Sequence, residues 1–291
     1  MIGLAGLSAE TLPKLTIVPK RHWGRVLAAG LILLLLAGLV KSFAEGQIEW
    51  RFVGQFLTAP AILGGLVNTL VMTLLAMLLG IVLGVTFAVM RMSENPVLRW
   101  VAILYLWIFR STPALLQLLL WFNLALLFPK LSFFGLFEAR TVDVMTPFLS
   151  ALLGLGIQQG AYTAEVVRSG LLAVDIGQYE AAKSIGMPTA KALRRIILPQ
   201  AMRVIVPPIG NETISMVKLT SLASTIQYAE MLHNAQNIYF ANARVIELLF
   251  VASFWYLAVV TLFSIGQYYI ERHFSRGWER RKAAHVEADP A

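Results

Sequence analysis

The chain has 291 residues, 58% of them hydrophobic and 14% charged, with a mean hydropathy of +0.71; that balance excludes an ordinary water-soluble domain and places the chain in a bilayer. Its net charge of +8 does not indicate nucleic acid, because the basic residues sit in short loops between apolar runs and no basic stripe carries interleaved aromatics. There is no cysteine, so disulfides and cysteine-ligated metals are excluded.

Residues 1–25 read as a cytoplasmic N-terminal segment. The first apolar run, 26–40, is uncharged but short; Trp23 and Phe43 lengthen it at the interface into an extra N-terminal transmembrane helix over 26–44. Lys20, Arg21 and Arg25 ahead of it also resemble the start of a cleaved leader, although Phe43-Ala44 is a poor small-residue cleavage site. Further runs cover 61–90, 98–128, 147–167, 202–219 and 245–270. Since about twenty residues cross the hydrocarbon, the expectation is an all-α membrane protein of about six transmembrane helices. The run 98–128 is too long for one straight crossing, and Arg110 and Pro113 interrupt it, which predicts a kink or an elbow. Pro207-Pro208 interrupts the next-to-last run in the same way, freeing carbonyls that need partners from neighbouring helices. Gly80 and Gly84 have the small-residue spacing that permits close helix crossing, a weak signal that ordinary packing also explains. Residues 273–291 read as a cytoplasmic tail.

Orientation follows from the basic residues. With the N-terminus inside, the cytoplasmic segments hold 17 of the 24 Lys and Arg and the outer segments hold 5, with Arg110 and Lys218 inside apolar runs. Such a bias places both termini in the cytoplasm. It also makes the loop around 169–199 cytoplasmic.

That loop contains the best-specified motif. Glu180-Ala181-Ala182, then Gly186, then Ile196, Leu198 and Pro199 read as two short helices. Gly186 takes the left-handed conformation that stops the first, and Pro188 starts the second over 189–198. The product is a bent polar knob on a loop, which is how a scaffold presents a docking contact to a soluble partner. Lys191, Arg194 and Arg195 on its second helix also suit anionic membrane lipid.

This signature resembles the cytoplasmic loop of ABC importer permeases. Phe109-Arg110-Ser111-Thr112-Pro113, Leu116-Gln117-Leu118, Ala161-Tyr162-Thr163-Ala164-Glu165, Asn211-Glu212 and Lys218-Leu219-Thr220-Ser221-Leu222 are similar to the polar amino acid subfamily, although Ser111 stands where the family usually has Gly and Leu219 where it often has Asp. The resemblance implies a type I permease core of five spans over 61–272 behind the extra helix, in a bacterial cytoplasmic membrane. It implies ABC ATPase subunits, holding ATP and Mg, docked on the knob; a second permease copy or paralogue; and an extracytoplasmic solute-binding protein. Glu180 would offer a charged contact, Ala181 and Ala182 a close-packed surface and Gly186 the turn, with Ile196, Leu198 and Pro199 seating the knob on the membrane domain.

Polar residues inside apolar runs are costly and line partners or pathways. Asn68, Thr69, Arg110, Thr112, Gln158, Glu165, Glu212, Lys218, Thr220 and Ser221 form the candidate substrate path, with helix-to-helix hydrogen bonding as the ordinary alternative for many of them. A zwitterionic amino acid needs counter-groups of both signs. No catalytic constellation is present: the sequence lacks a P-loop and a Gly-x-Ser-x-Gly elbow, and its four His are scattered, so no metal site and no resident cofactor are expected. An opine, a peptide or another small polar solute is the alternative cargo. A secondary transporter is the rival of another class, and it predicts an inverted repeat that the sequence does not display.

Overall fold

The computed structural model describes residues 23–46, 48–133 and 137–275. Most of the expected N-terminal segment and nearly all of the tail, with their basic residues, lie outside the described residues. The rest divides into two units, one ending at Ile48 and one beginning at Glu49. The first contains helix α1 (Trp23–Glu45), which carries no charge between Arg25 and Lys41 and therefore has the all-round apolar surface of a lipid-facing helix.

The second unit runs α2 (Trp50–Leu57), α3 (Pro60–Arg91), α4 (Pro96–Ser111), α5 (Ala114–Phe122) and the single turn α6 (Leu124–Leu127). Strands β1 (Lys130–Phe133) and β2 (Phe137–Arg140) and the turn α7 (Thr141–Val144) follow. Then come α8 (Pro147–Leu172), α9 (Ile176–Ser184), α10 (Thr189–Ala192), α11 (Leu198–Leu219), α12 (Met231–Asn242) and α13 (Val245–Ser275). The long helices start in a common way. Pro occupies the first turn of α3, α4 and α8, where its missing N–H costs nothing, and the Asn95 and Thr146 side chains cap α4 and α8.

Three helices, α1, α3 and α13, are long and apolar enough to cross a membrane, and the bent pair α4–α5 makes a fourth. α8 and α11 fall short on apolarity because they carry the interior polar residues; at about 1.5 Å per residue, the 26 residues of α8 still extend about 39 Å. The expectation of helices throughout needs one amendment: β1 and β2 form an antiparallel hairpin with Lys130 opposite Arg140, and Lys130 and Glu138 pair across it at 2.9 Å.

The bend between α4 and α5 is 103°, and its chemistry is local. Pro113 cannot donate to the Phe109 carbonyl. Gln117, 4% exposed, turns back instead, and its Nε2 donates to the Phe109 carbonyl (3.1 Å), to the Thr112 carbonyl (3.1 Å) and to Thr112 Oγ1 (2.8 Å). α11 passes through Pro207 and Pro208 unbroken; Gln267 of α13 donates to the Pro207 carbonyl at 2.8 Å, not to the Arg203 and Val204 carbonyls that the two prolines free.

α8 is the hub, packing along α3 and against α4, α5 and α11. Glycine sets how closely α3 approaches. A Cβ on Gly80 would lie 2.6 Å from Gln159 Cγ, and one on Gly84 2.6 Å from Thr163 Cβ; from the α8 side, one on Gly160 would meet Tyr105 Oη at 2.5 Å and Leu83 Cβ at 2.7 Å. Tyr105 of α4 clamps this contact, stacking on Phe87 of α3 and donating to the Ile157 carbonyl of α8 at 2.6 Å. At the other end of α3, Gly65 abuts Met231 Cα and the Glu230 carbonyl, and completely buried Glu230 caps α12 through the N–H groups of Leu232 and His233 while accepting from Tyr256 Oη at 2.8 Å.

Two outcomes are expected. Gly84→Val forces α3 away from α8 and costs about 1–3 kcal/mol, read as a lower melting temperature in detergent, whereas Gly64→Ala, with nothing within 4 Å of its Cβ, leaves melting unchanged. Burial pushes the Glu230 carboxyl up to about 7, so the folded chain holds this proton more tightly than the unfolded one. The stabilisation, roughly 3 kcal/mol, is complete below about pH 4.5 and lost as pH rises through about 7. Relative to Glu230→Gln, the wild-type melting temperature falls between about pH 5 and about pH 8.

Candidate functional site

The knob is built as its residues require. Asp175 caps α9 by accepting from the Gly177 N–H at 2.6 Å. The helix ends in a paired C-cap: Gly186, at φ +70°, donates to the Lys183 carbonyl and Met187 to the Ala182 carbonyl, at 2.9 and 3.0 Å. Pro188 then caps α10. The second helix, expected over 189–198, is instead the single turn α10 followed by a π-helical turn (Leu193–Ile197) that runs without interruption into α11. Pro199 supplies the reason. Its ring crowds the Arg195 carbonyl and it has no N–H to give, and a wider turn relieves both.

Glu180 and Ala181 are exposed on the knob, whereas Ala182 is 2% exposed and packs inward. Seating on the membrane domain falls to Ile197, 1% exposed among Val167, Leu171, Ala201 and Ile205, with Ile196 packed beside it; Leu198 and Pro199 are exposed. Tyr179 Oη donates to the Leu171 carbonyl at 3.2 Å and Gln200 to Gln178 Oε1 at 3.3 Å, tying α9 to α8 and α11.

A second polar constellation lies between α8 and α11. Gln159 Nε2 and Thr163 Oγ1, one turn apart on α8, both donate to Oε2 of Glu212 on α11, at 2.7 and 3.2 Å. No hydrogen bond to Glu212 Oε1 occurs among the described residues. A recess of about 250 Å³ opens beside it, lined by Arg110, Tyr162, Glu165, Ser169 and Glu212. Arg110 lies 5.6 Å from the Tyr162 ring centre and 3.9 Å from Glu165, whose carboxylate also pairs with Arg91 and, at 2.7 Å, with Arg168. Carboxylates and a guanidinium thus face one small chamber.

Of the ten path candidates, Arg110, Glu165 and Glu212 meet at this recess. Gln158 Nε2 donates to the Thr112 carbonyl at 3.4 Å, so those two hold the α4–α5 bend. Asn68 donates to the Ala229 carbonyl and Thr69 accepts from the Met231 N–H, joining α3 to the start of α12. Thr220 and Ser221 donate to the Val217 and Lys218 carbonyls where α11 passes into a short 3-10 turn (Thr220–Ile226), and Lys218 is exposed there. Gln159, Thr163, Tyr162 and Ser169 were not among the candidates. A signal for the first two existed: Gln159 and Thr163 repeat the four-residue spacing of Gly80 and Gly84, which they face.

Residues 76–276 match the family model described as binding-protein-dependent transport system inner membrane component. The chain is 44% identical over 269 residues to the arginine transport system permease protein ArgU of Corynebacterium glutamicum, covering 91% of this chain and 85% of the relative. It is 39% identical over 230 residues to the L-cystine transport system permease protein TcyB of Bacillus subtilis, covering 79% of this chain and 92% of the relative. A solved structure described as an amino acid ABC transporter with histidines superposes with a TM-score of 0.67 at 33% identity, covering 78% of this chain and all of that one. The chain therefore belongs to the binding-protein-dependent inner membrane components, the permease subunits of ABC importers, in which ATP hydrolysis resides on a separate polypeptide.

Proposed function

We propose that this chain forms the membrane path of an ATP-driven importer of polar amino acids and that the knob and the Glu212 chamber are two ends of one lever. The observation that carries the reading is continuity. α8 bears Gln159, Thr163 and Glu165, ends at Leu172 and passes directly to Asp175, the cap of α9. α11 bears Glu212 and continues the π-helical turn that leaves the knob. The α8 and α11 walls of the chamber both grow out of the docking element, so a partner that moves the knob moves them relative to Arg110 on α4.

The chamber suits an α-amino acid. Glu212 Oε1 offers an acceptor to an ammonium group, and Arg110, with only a 3.9 Å pairing to Glu165 that it shares with two other arginines, offers a guanidinium to a carboxylate. The arginine and cystine relatives, at 44% and 39% identity, support this cargo class, and relatives described as nopaline and octopine transport permeases, at 38% and 35%, support an opine as the second reading. In the working cycle, two such chains carry two ATPase subunits on their knobs. Nucleotide-driven closure turns the chamber outward to receive solute from a binding protein, and hydrolysis returns it inward. The distribution of Lys and Arg supports six spans, counting α8 and α11, with both termini in the cytoplasm.

Two variants test the two ends. Gly186→Arg places a side chain on a backbone at φ +70°, costing about 1–2 kcal/mol locally, and obstructs docking. Membrane insertion stays normal while ATPase co-purification and uptake are lost; normal ATP-coupled uptake in proteoliposomes contradicts the docking role. Glu212→Gln preserves assembly, because an amide oxygen still accepts from Gln159 and Thr163, and lowers uptake by about tenfold or more, a loss of at least about 1.4 kcal/mol in transition-state or substrate stabilisation. Unchanged uptake kinetics would return Glu212 to a packing role.

A further inference from the structure

Four arginines surround the junction of α3, α4 and α8. Arg91 closes α3, Arg99 and Arg110 lie on α4, and Arg168 lies on the last turns of α8. Glu165 is the one carboxylate in ion-pair contact with them among the described residues, meeting Arg91, Arg110 and Arg168. Glu94, in the turn between α3 and α4, forms no ion pair with them among the described residues. The cluster therefore carries a surplus of positive charge that the protein does not neutralise. Arg168 is also incompletely satisfied: its Nε–H is shielded from water and has no acceptor among the described residues.

This surplus lines open space. One recess of about 440 Å³ has Arg91, Arg110 and Ser111 in its wall, and another of about 390 Å³ has Arg91, Arg99, Arg168 and Ser93; Arg91 and Ile103 border both, so they form two lobes of one groove. Each lobe combines guanidinium forks with a serine hydroxyl, a donor set suited to phosphate oxygens. The second lobe does not touch Glu212 and belongs to neither the substrate chamber nor the knob.

The surface beside the groove is apolar and unusually aromatic. Trp100, Leu104 and Trp107 are 69%, 54% and 66% exposed, and their spacing of four and three residues puts them in one stripe along α4. Tryptophan at a membrane boundary sits at headgroup level with its ring toward the chains. A soluble anion would use the arginines and leave this stripe idle. A ligand with a phosphate head and hydrocarbon tails uses both.

We propose that the groove between α3, α4 and α8 holds the headgroup phosphate of an anionic phospholipid, with its acyl chains against Trp100, Leu104 and Trp107. Arg91 and Arg168 form its fixed floor, held by Glu165, and exposed Arg99, which makes no ion pair among the described residues, is the gate-post that selects for negative charge. The bound lipid would brace the inner ends of the two helices, α3 and α8, whose contact supports the chamber. The inference rests on the chain spanning a membrane but not on the cargo or on ATP coupling, and its test reads lipid binding alone.

The full-length chain, purified in detergent, is titrated with phosphatidylglycerol, phosphatidylcholine or inorganic phosphate. Thermal stabilisation and the lipid retained in native mass spectrometry are measured. The wild type is expected to retain phosphatidylglycerol and to be stabilised by it, with little response to phosphatidylcholine or free phosphate. Arg99→Gln is expected to weaken phosphatidylglycerol affinity about fivefold, and Arg91→Gln with Arg99→Gln about twentyfold or more. Arg99 lies on the surface, so its single variant keeps the test valid if the double variant does not fold. Equal retention by wild type and Arg99→Gln would overturn the proposal. So would equal stabilisation by inorganic phosphate, which would make this a free-anion site, or by phosphatidylcholine, which would remove the charge selection.

Discussion

The interior of this protein depends on how closely α3 and α8 approach. Gly80 and Gly84 present bare backbone to Gln159 and Thr163, leaving no room for a methyl group. That contact fixes two polar side chains of α8, and both turn to one oxygen of Glu212 on α11. A carboxylate within an apolar bundle is costly unless donors are already in place. Here the donors are positioned by glycine rather than by further polar residues. Wider spacing would remove their support and leave Glu212 to find partners elsewhere.

The same economy links chamber and knob. α8 and α11 form two walls of the chamber, with Arg110 of α4 on the third, and the knob lies between α8 and α11 in sequence, held by Ile197 in the apolar cluster and by Tyr179 and Gln200 at its edges. The exposed knob is therefore anchored to the bundle's core through Ile197. The π-helical turn before Pro199 joins α10 to α11 without a break, and wide turns of this kind recur at sites of function.

Much of this was legible in the chain. Apolar runs located the long helices, Pro113 gave the elbow, and the Glu180 to Pro199 spacing gave the knob and its left-handed glycine, because each is a local rule with a local cause. What the sequence could not convey was convergence. Asn68, Lys218 and Glu212 look alike as polar interruptions of apolar runs, yet Glu212 faces a recess while Asn68 fastens α3 to α12. Gln117 entered only through the Leu116-Gln117-Leu118 motif, yet it satisfies the carbonyl that Pro113 orphans. Leu198 and Pro199 belonged to the motif, yet the buried residue at this end of the knob is Ile197, 1% exposed. The strands Lys130–Phe133 and Phe137–Arg140 are four residues each, too short for an alternating pattern to stand out from the apolar run before them.

The central claim is that knob and chamber move as one body. The chain has no cysteine, so a spin label can be placed at Ser184 on the knob or at Tyr162 on the recess, each paired with a reference label on the second permease chain of the proposed complex, and the separation measured by pulsed electron resonance with and without ATP. The account predicts that both separations change together on nucleotide binding. A shift at Ser184 with the Tyr162 separation unchanged would contradict it.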